Sequence, residues 1–405
     1  MKFNTGLLHG KAVGPYANGA TLPPVTQSNA FRYDSFETLE RVFAHKTMGY
    51  AYSRIGNPTV SALEQRINEL EGGVGAVAAS SGMAAVSMAL LTILSPGDEV
   101  IAASGLYGGT IDLFGDLEKL GIHTRFVPLL TPEEIEPLIT PRTRCIFGEV
   151  ISNPALRVTD IAAVAELAHS HGLPFLVDST TATPYLVRPL SLGADIVIHS
   201  SSKYITGSGD AISGVIVDGG KFRWDFARYP ALKGFEHTGP FAFLMRLRTD
   251  VLENFGGCLA PMNAFLNVVG LETLGLRMER ICANAAALAK ALDELGGLQV
   301  NHPTLHEQAL CQRQLQGLGG GILTFRAGSK ERAVAILNAL NYAHIASNIG
   351  DVRTLVIHPA STIFMKSTPA QREAAGVFDD TIRVSVGIED ASDLIEDFTA
   401  AIRSV

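Results

Sequence analysis

Two apolar segments end in charged residues that together could support amine–aldehyde chemistry. PFLVDST reaches Asp178, and the next apolar segment, DIVIHSSSK, reaches Lys203. A lysine amine forms a Schiff base with an aldehyde, and a carboxylate keeps a pyridinium nitrogen protonated, so that the ring withdraws electrons. The pair therefore suits pyridoxal phosphate. Taken alone, it is better explained by a solvated loop lysine and a helix-capping aspartate, because both residue types are common at strand ends.

A possible anion site lies at Ser80-Ser81-Gly82-Met83, between an apolar run and a helical pattern. Free N–H groups at the start of a helix attract anions, and small residues let a phosphate approach the backbone. The hydroxyls of Ser200 and Ser202 could add donors from a neighbouring loop. The same residues would also serve as an ordinary helix N-cap.

Arg383 lies inside the apolar segment TIRVSVGIE, where an unpaired charge would be costly. Its partner is either a substrate carboxylate bound by two N–H groups or a structural carboxylate. Tyr52 and Arg54, in YAYSRIGNPT, precede the first long helical pattern and belong to a segment that could reach a neighbouring subunit.

Motifs of other enzyme classes find little support. Ser200 to Lys203 fits the S-x-x-K pattern of penicillin-binding enzymes, but the S-D-N and K-T-G triplets are absent. The sequence has no G-x-S-x-G elbow and no P-loop. Gly207-Ser208-Gly209 precedes an apolar run rather than a helix, which is the wrong context for a dinucleotide loop.

The composition of the chain argues against several classes of binding partner. The net charge is -8, with no run of Lys and Arg, which argues against nucleic acid or an anionic membrane. The apolar stretch from Val74 to Leu94 is interrupted by Ser80, Ser81 and Gly82, so we expect a strand, a turn and a helix there. The four cysteines are scattered and the first residues lack the core of a signal peptide. We therefore expect a cytoplasmic protein without a metal site.

The elements that must position these residues form an α/β pattern. From residue 75 to about 217, seven apolar runs alternate with helical patterns. This predicts a mostly parallel seven-stranded sheet with helices on both faces, which binds ligands beyond the carboxyl ends of its strands. We expect an N-terminal arm over residues 1–60, a large domain over 61–257, and a linking helix with a smaller α/β C-terminal domain over 258–405.

Taken together, the motifs resemble those of the Cys/Met-metabolism family of pyridoxal-phosphate enzymes, which have the fold type I architecture. The likeness runs along nearly the whole chain, through YSRIGNPT, SSGMAA, LYGGT, ISNP, VDST, GADIVIHSSSKY, GLETL, TLVIHPAST and IRVSVGIED. So many motifs in the right order favour the cofactor interpretation of Lys203 and Asp178 over the ordinary ones. A non-catalytic chain that keeps only the fold is disfavoured for the same reason.

The resemblance implies roles for individual residues. Lys203 would bind the cofactor and move protons, with help from Tyr107, which would stack on the ring. Asp178 would hold the ring nitrogen. Asn153 would contact the ring hydroxyl and the substrate.

Further residues would hold the two charged ends of the bound molecules. The phosphate would be bound by Gly82, Met83, Ser200 and Ser202, and by Tyr52 and Arg54 of a neighbouring subunit. The substrate carboxylate would be held by Ser347 and Arg383. The resemblance thus implies a homo-oligomer, at least a dimer and usually a tetramer.

The implied reaction is a γ-replacement in which sulfide or a thiol displaces acetate from O-acetylhomoserine. Two alternatives stay open: γ-elimination of the methionine γ-lyase type and replacement of the cystathionine γ-synthase type. Methionine γ-lyases usually carry a cysteine where Gly109 stands, which disfavours the first of them. The chain departs from its nearest subgroup at Ser179, at Gly207 to Asp210, and at Ile363-Phe364, where Thr-His is usual. The segment after FRW is also short. These departures bear on substrate preference.

Overall fold

The computed structural model describes residues 1–44 and 46–405. The larger of its two sheets has strands β1 Gly75–Ala79, β2 Glu99–Ala103, β3 His123–Val127, β4 Thr143–Glu149, β5 Phe175–Asp178, β6 Ile196–His199 and β7 Gly214–Asp218. Their order is β1-β7-β6-β5-β4-β2-β3, and only β7 runs antiparallel to its neighbours. The predicted mostly parallel, seven-stranded sheet is confirmed.

Helices connect these strands and precede them. They are α1 Phe3–His9, α2 Phe36–Phe43, α3 Pro58–Glu71, α4 Gly82–Leu91, α5 Gly108–Lys119, α6 Pro132–Ile135, α7 Ile161–Ser170, α8 Thr183–Leu186, α9 Ala242–Arg246 and α10 Glu253–Phe255. Helix α3 begins and ends as its sequence predicts. The Asn57 side chain accepts from the Thr59 N–H at 2.9 Å, Pro58 takes the first position, and Gly72 ends the helix with a φ of 76°.

The large sheet is covered on both faces because its strands are apolar on both faces. One cluster of buried side chains packs β-strand residues against α3, α7 and later helices, and includes Leu63, Ile67 and Val164. A second cluster, which includes Val86, Phe114 and Phe147, packs the opposite face against α4 and α5. This leaves the carboxyl edge of the parallel strands, with its connecting segments, as the place where polar groups gather.

The C-terminal part forms a second, smaller sheet of five strands in the order β10-β11-β12-β9-β8. Its strands are β8 Gln299–Asn301, β9 Ile322–Arg326, β10 His344–Ile345, β11 Leu355–Ile357 and β12 Thr381–Ser385. Its helices are α11 Pro261–Leu271, α12 Leu274–Leu295, α13 Pro303–His306, α14 Gln308–Gln314, α15 Lys330–Ala339, α16 Pro369–Ala374 and α17 Ala391–Arg403. Burying the apolar faces of α12, α15 and α17 against this sheet creates its own core.

The expected linking helix at the start of residues 258–405 is two helices, α11 and α12, which are separated at Glu272 and Thr273. The apolar segments GGILTFRA, TLVIHPA and TIRVSVGIE contain β9, β11 and β12. The short strands β8 and β10 escape sequence reasoning, because two or three residues show no periodicity. Among the described residues, the helices are too short or too polar to cross a bilayer. The division of the chain at residues 60 and 257 stays a prediction.

Candidate active site

A cavity of about 420 Å³ opens at the carboxyl edge of the large sheet. Asp178 enters it from the end of β5, and Lys203 enters from the segment after β6. Ten of the predicted site residues line it: Gly82, Met83, Tyr107, Asn153, Asp178, Ser200, Ser202, Lys203, Ser347 and Arg383. The structure thus brings together residues that are up to 301 positions apart, from Gly82 to Arg383. Their individual roles stay predictions.

The cavity has two sides of different origin. The cofactor half comes from the large sheet and its connections, and includes Gly82, Asp178 and Ser200. The substrate half comes from the C-terminal part, and consists of Ser347, Asn348, Ile349, Ile363 and Arg383. Lys203 joins the two, because its Nζ donates to Asn348 Oδ1 at 2.6 Å.

The Lys203 amine lies in an environment that disfavours its charge. Burial lowers its pKa from the ordinary value, and the nearby Arg383 guanidinium lowers it further. A larger neutral fraction makes the amine a better nucleophile and a better base. These are the properties that a cofactor-binding, proton-moving lysine requires.

Asp178 belongs to a pair of buried carboxylates. It lies directly opposite Glu149 in the β4–β5 register, and its Oδ1 accepts from the Thr180 N–H at 2.8 Å. Burial raises the pKa of Asp178, although hydrogen bonds from Thr180 and the charge of His199 act in the other direction. Burial and the charge of Asp178 hold the pKa of Glu149 well above its usual range. Two such neighbours call for a positive group, which a protonated pyridinium nitrogen would supply.

The start of α4 forms a cradle for an anion. Ser81 caps the helix by accepting from the Ala84 N–H at 3.0 Å, which leaves the N–H groups of Gly82 and Met83 without a helical partner. A Cβ on Gly82 would lie 2.5 Å from the Ser200 Cβ, so only glycine fits here. The Ser200 and Ser202 hydroxyls, 2.9 Å apart, complete a donor cluster that fits a phosphate.

Glu149 also binds the two segments that flank the site. Its Oε1 accepts from the Tyr107 N–H at 2.7 Å, and its Oε2 accepts from the Asn153 N–H at 3.2 Å. The Tyr107 ring lies over the first turn of α5, where a Cβ at Gly109 would come within 2.6 Å of its Cε1. A cysteine at this position would therefore displace the ring.

Arg383 is buried without a carboxylate. Its Nη1 donates to Asn153 Oδ1 at 3.3 Å, its Nη2 donates to the Asn348 carbonyl at 3.1 Å, and its Nε has no partner. Burial lowers its pKa to about 10. Across residues 1–44 and 46–405 no acidic side chain forms an ion pair with it, so the structural salt bridge considered from sequence is not present there. The other alternative from the sequence, a substrate carboxylate, stays the prediction for its partner.

Tyr52 and Arg54 lie outside the cavity of their own chain. Tyr52 is 41% exposed, and the Arg54 guanidinium lies 5.5 Å from the centre of its ring. Arg54 donates to the carbonyl of Glu253. The structure therefore does not bring these two residues to the other ten.

Sequence reasoning missed several lining residues, notably Glu149, Thr180 and Asn348, whereas Ile363 is one of the departures that bear on substrate preference. Glu149 closes the apolar run CIFGEV just as Asp178 closes PFLVDST, so the same strand-end argument would have found it. Asn348 carried no such signal, because it reaches the site through the packing of the C-terminal part against the large sheet.

Comparison with known proteins agrees with this geometry. The family model for Cys/Met metabolism PLP-dependent enzymes matches residues 4–403. The chain belongs to this family. Its cofactor is accordingly pyridoxal phosphate, and the fold is that of the type I enzymes.

Three relatives show how far the likeness extends for this Cys/Met-metabolism enzyme. It is 40% identical to O-acetyl-L-homoserine sulfhydrylase of Corynebacterium glutamicum, over 100% of this chain and 97% of the relative. It is 36% identical to L-methionine γ-lyase of Pseudomonas putida, over 95% and 93%. A crystal structure assigned as an O-acetylhomoserine (thiol)-lyase of Campylobacter jejuni, with pyridoxyl phosphate on a lysine, superposes with a TM-score of 0.94 at 32% identity and full coverage of both chains.

Proposed function

We propose that this chain is an O-acetylhomoserine sulfhydrylase, which replaces the acetate of its substrate with sulfide or a small thiol and forms homocysteine or methionine. The observation that carries the proposal is the placement of Arg383 and Lys203 around one residue, Asn348. An amino acid whose carboxylate binds Arg383 would have its α-carbon beside the lysine amine. The full-length similarity to sulfhydrylases supports the same activity.

The rest of the cavity wall favours an uncharged γ-substituent. Val86, Ala211, Ile212 and Ile363 line it with apolar groups. Among the described lining residues, Lys203 and Arg383 are the cations, and both have a function already. A succinyl or phosphoryl group, or cysteine as the nucleophile, would bring a further negative charge with no cation to receive it. Acetyl on the substrate and sulfide or a small thiol as the nucleophile fit best.

In this reaction each of the site residues has a separate role. Bound pyridoxal phosphate withdraws electrons from the α-carbon, so that protons at Cα and Cβ become acidic. The Lys203 amine, with its lowered pKa, removes and returns these protons. Arg383 holds the carboxylate and thereby orients the substrate. Tyr107, with its ring fixed on the first turn of α5, covers the cofactor face and assists proton transfer at the leaving group.

The test is a comparison of substrates. We expect acetate release from O-acetylhomoserine to depend on sulfide and to match homocysteine formed, with O-succinyl- and O-phosphohomoserine slower by at least about tenfold. A tenfold ratio of kcat/KM corresponds to a difference of about 1.4 kcal/mol in transition-state stabilisation between the two substrates. Release of ammonia and 2-oxobutanoate from methionine at a higher kcat/KM than sulfhydrylation would instead support methionine γ-lyase. Cysteine as the best acceptor would support cystathionine γ-synthase.

We also propose that the enzyme is at least a dimer, and a tetramer as is usual in the family, in which Tyr52 and Arg54 complete the phosphate site of a neighbouring subunit. Support comes from their position outside their own cavity and from exposed apolar side chains in the same N-terminal segment, such as Phe36, Phe43 and Met48. Mixing inactive Arg54→Ala and Lys203→Ala subunits should restore about a quarter of the sites. No recovery would contradict shared sites.

The proposed cellular location is the cytoplasm, which the unpaired, mostly buried cysteines Cys145, Cys282 and Cys311 suit. The proposed domain boundaries at residues 60 and 257 place the seven-stranded sheet in one domain and the five-stranded sheet in the other. Limited proteolysis followed by mass spectrometry of the fragments would test these boundaries.

A further inference from the structure

We propose that Glu149 is a positioning residue, which fixes Tyr107 and Asn153 at the cofactor site by accepting hydrogen bonds from both of their backbone N–H groups. The inference rests on the proposed cofactor site. It does not depend on which nucleophile the enzyme accepts.

The contacts of Glu149 connect two segments that are separate in the sequence. Tyr107 lies in the connection between β2 and α5, and Asn153 lies in the connection that follows β4. Their backbone N–H groups donate to different oxygens of the Glu149 carboxylate, at 2.7 Å from Tyr107 and at 3.2 Å from Asn153. The Glu149 side chain itself is anchored at the end of β4 and is only 6% exposed. A single buried group therefore sets the spacing of both segments relative to the sheet.

At both Tyr107 and Asn153, a shift of the backbone moves the side chain. The Tyr107 ring lies against the first turn of α5, where a Cβ at residue 109 would come within 2.6 Å of its Cε1. A rotation of the Tyr107 backbone must therefore move its ring. On the other side, the Asn153 side chain accepts from Arg383 at 3.3 Å, so a shift of Asn153 also moves the guanidinium that binds substrate.

An ordinary structural role does not account for Glu149. Glu64 has such a role, because it accepts from the Ala78 N–H at 2.8 Å and pairs with Arg248 at 2.8 Å. Glu149 has no such cation in the described part of the chain and lies opposite a second buried carboxylate, Asp178. Burying the Glu149 carboxylate here lowers the free energy of unfolding. The compensating contribution is the pair of contacts to residues that face the cofactor.

The test compares Glu149→Gln with the matched control Glu64→Gln. The amide of Glu149→Gln keeps one acceptor but presents an NH₂ to the other N–H donor, so one segment is released. We expect kcat to fall at least about tenfold, since a displacement near 1 Å can cost roughly 100-fold. The KM for sulfide should stay within about twofold of wild type. The visible circular dichroism of bound pyridoxal phosphate should change, and its affinity for the apoprotein should fall.

Glu64→Gln should lower the melting temperature and leave kcat and the visible signal unchanged. In a Tyr107→Phe, Asn153→Ala background, Glu149→Gln should lower kcat by less than about threefold, because the Tyr107 hydroxyl and the Asn153 amide that Glu149 positions are absent; independent effects would multiply. If Glu149→Gln does not accumulate as folded protein, Glu149→Asp, which is too short to reach both segments, takes its place with the same expectations.

Wild-type kcat and visible dichroism in the Glu149 variant, or equal changes in the Glu64 control, would overturn the proposal. Failure of the proposed function would appear elsewhere, in the products formed by the wild-type enzyme. The ratio of variant to wild type, measured with whichever substrate proves active, tests Glu149 separately.

Discussion

The cofactor half and the substrate half of the cavity are built by different means. In the cofactor half, backbone groups and short side chains lie at the ends of adjacent strands, and Gly82 touches Ser200 so closely that no Cβ fits. In the substrate half, the long Arg383 side chain lies on another sheet and is held by one amide oxygen and one carbonyl. The first half is rigid because of sheet geometry. The second depends on how the two sheets pack, so specificity can vary there while the cofactor site is retained.

Lys203→Ala removes the residue that joins the two halves and should have the largest effect. We expect kcat to fall by at least about 1,000-fold, because both the covalent anchor and the base are lost. The visible absorbance of the bound cofactor should be lost as well. Exposed Lys119→Ala is the control and should behave as wild type. Residual turnover above one per cent would contradict the assignment of the base.

Asp178→Asn tests the cofactor half alone. The amide cannot stabilise a protonated ring nitrogen, so kcat should fall by a few hundred-fold, as is typical when a preorganised charge is removed. The KM for O-acetylhomoserine should change by less than about threefold, since Arg383 is untouched. A large rise in KM with normal kcat would show that the two halves are not separable.

Arg383→Lys tests the substrate half alone. Loss of the planar, two-pronged donor should raise KM for O-acetylhomoserine by about 50-fold, with little change in cofactor affinity. Arg277→Lys is the matched control, because Arg277 is also buried without a carboxylate but donates to the carbonyls of Tyr204, Ile205 and Gly270. The control should lose stability and keep its KM. An equal KM effect in both variants would refute a ligand role for Arg383.

The smallest effect concerns pH and the carboxylate pair. In the apoprotein, folding raises the pKa of Asp178 and of Glu149, so both groups oppose folding once pH rises above their unfolded values near 4. The protonated ring nitrogen of the bound cofactor gives Asp178 a positive partner, which offsets part of this loss of stability. The stabilisation by pyridoxal phosphate, measured as the melting-temperature difference between holo- and apoprotein, should therefore grow by a few degrees from pH 5 to pH 8. A constant or shrinking difference would contradict this account.

The difference between the cofactor half and the substrate half also explains which site residues could be predicted from the sequence. Asp178, Gly82 and Ser200 follow from the rule that ligands meet the carboxyl ends of parallel strands, and the family motifs added Tyr107 and Asn153. Glu149 obeyed the same rule but carried no recognised motif. Asn348 depends on long-range packing between two sheets, which local periodicity does not encode. The break between α11 and α12 was missed because Glu272 and Thr273 continue an otherwise helical pattern.

The closeness of Gly82 to Ser200 has a practical consequence for anyone wishing to redesign this enzyme. Every amino acid other than glycine at position 82 adds atoms where none can be accommodated, because its Cβ would lie 2.5 Å from the Ser200 Cβ. Mutant libraries that vary residue 82 would therefore consist mainly of inactive variants. Diversity placed at Ile212 and Ile363, on the apolar wall, would instead sample new sulfur nucleophiles while the catalytic apparatus remains intact.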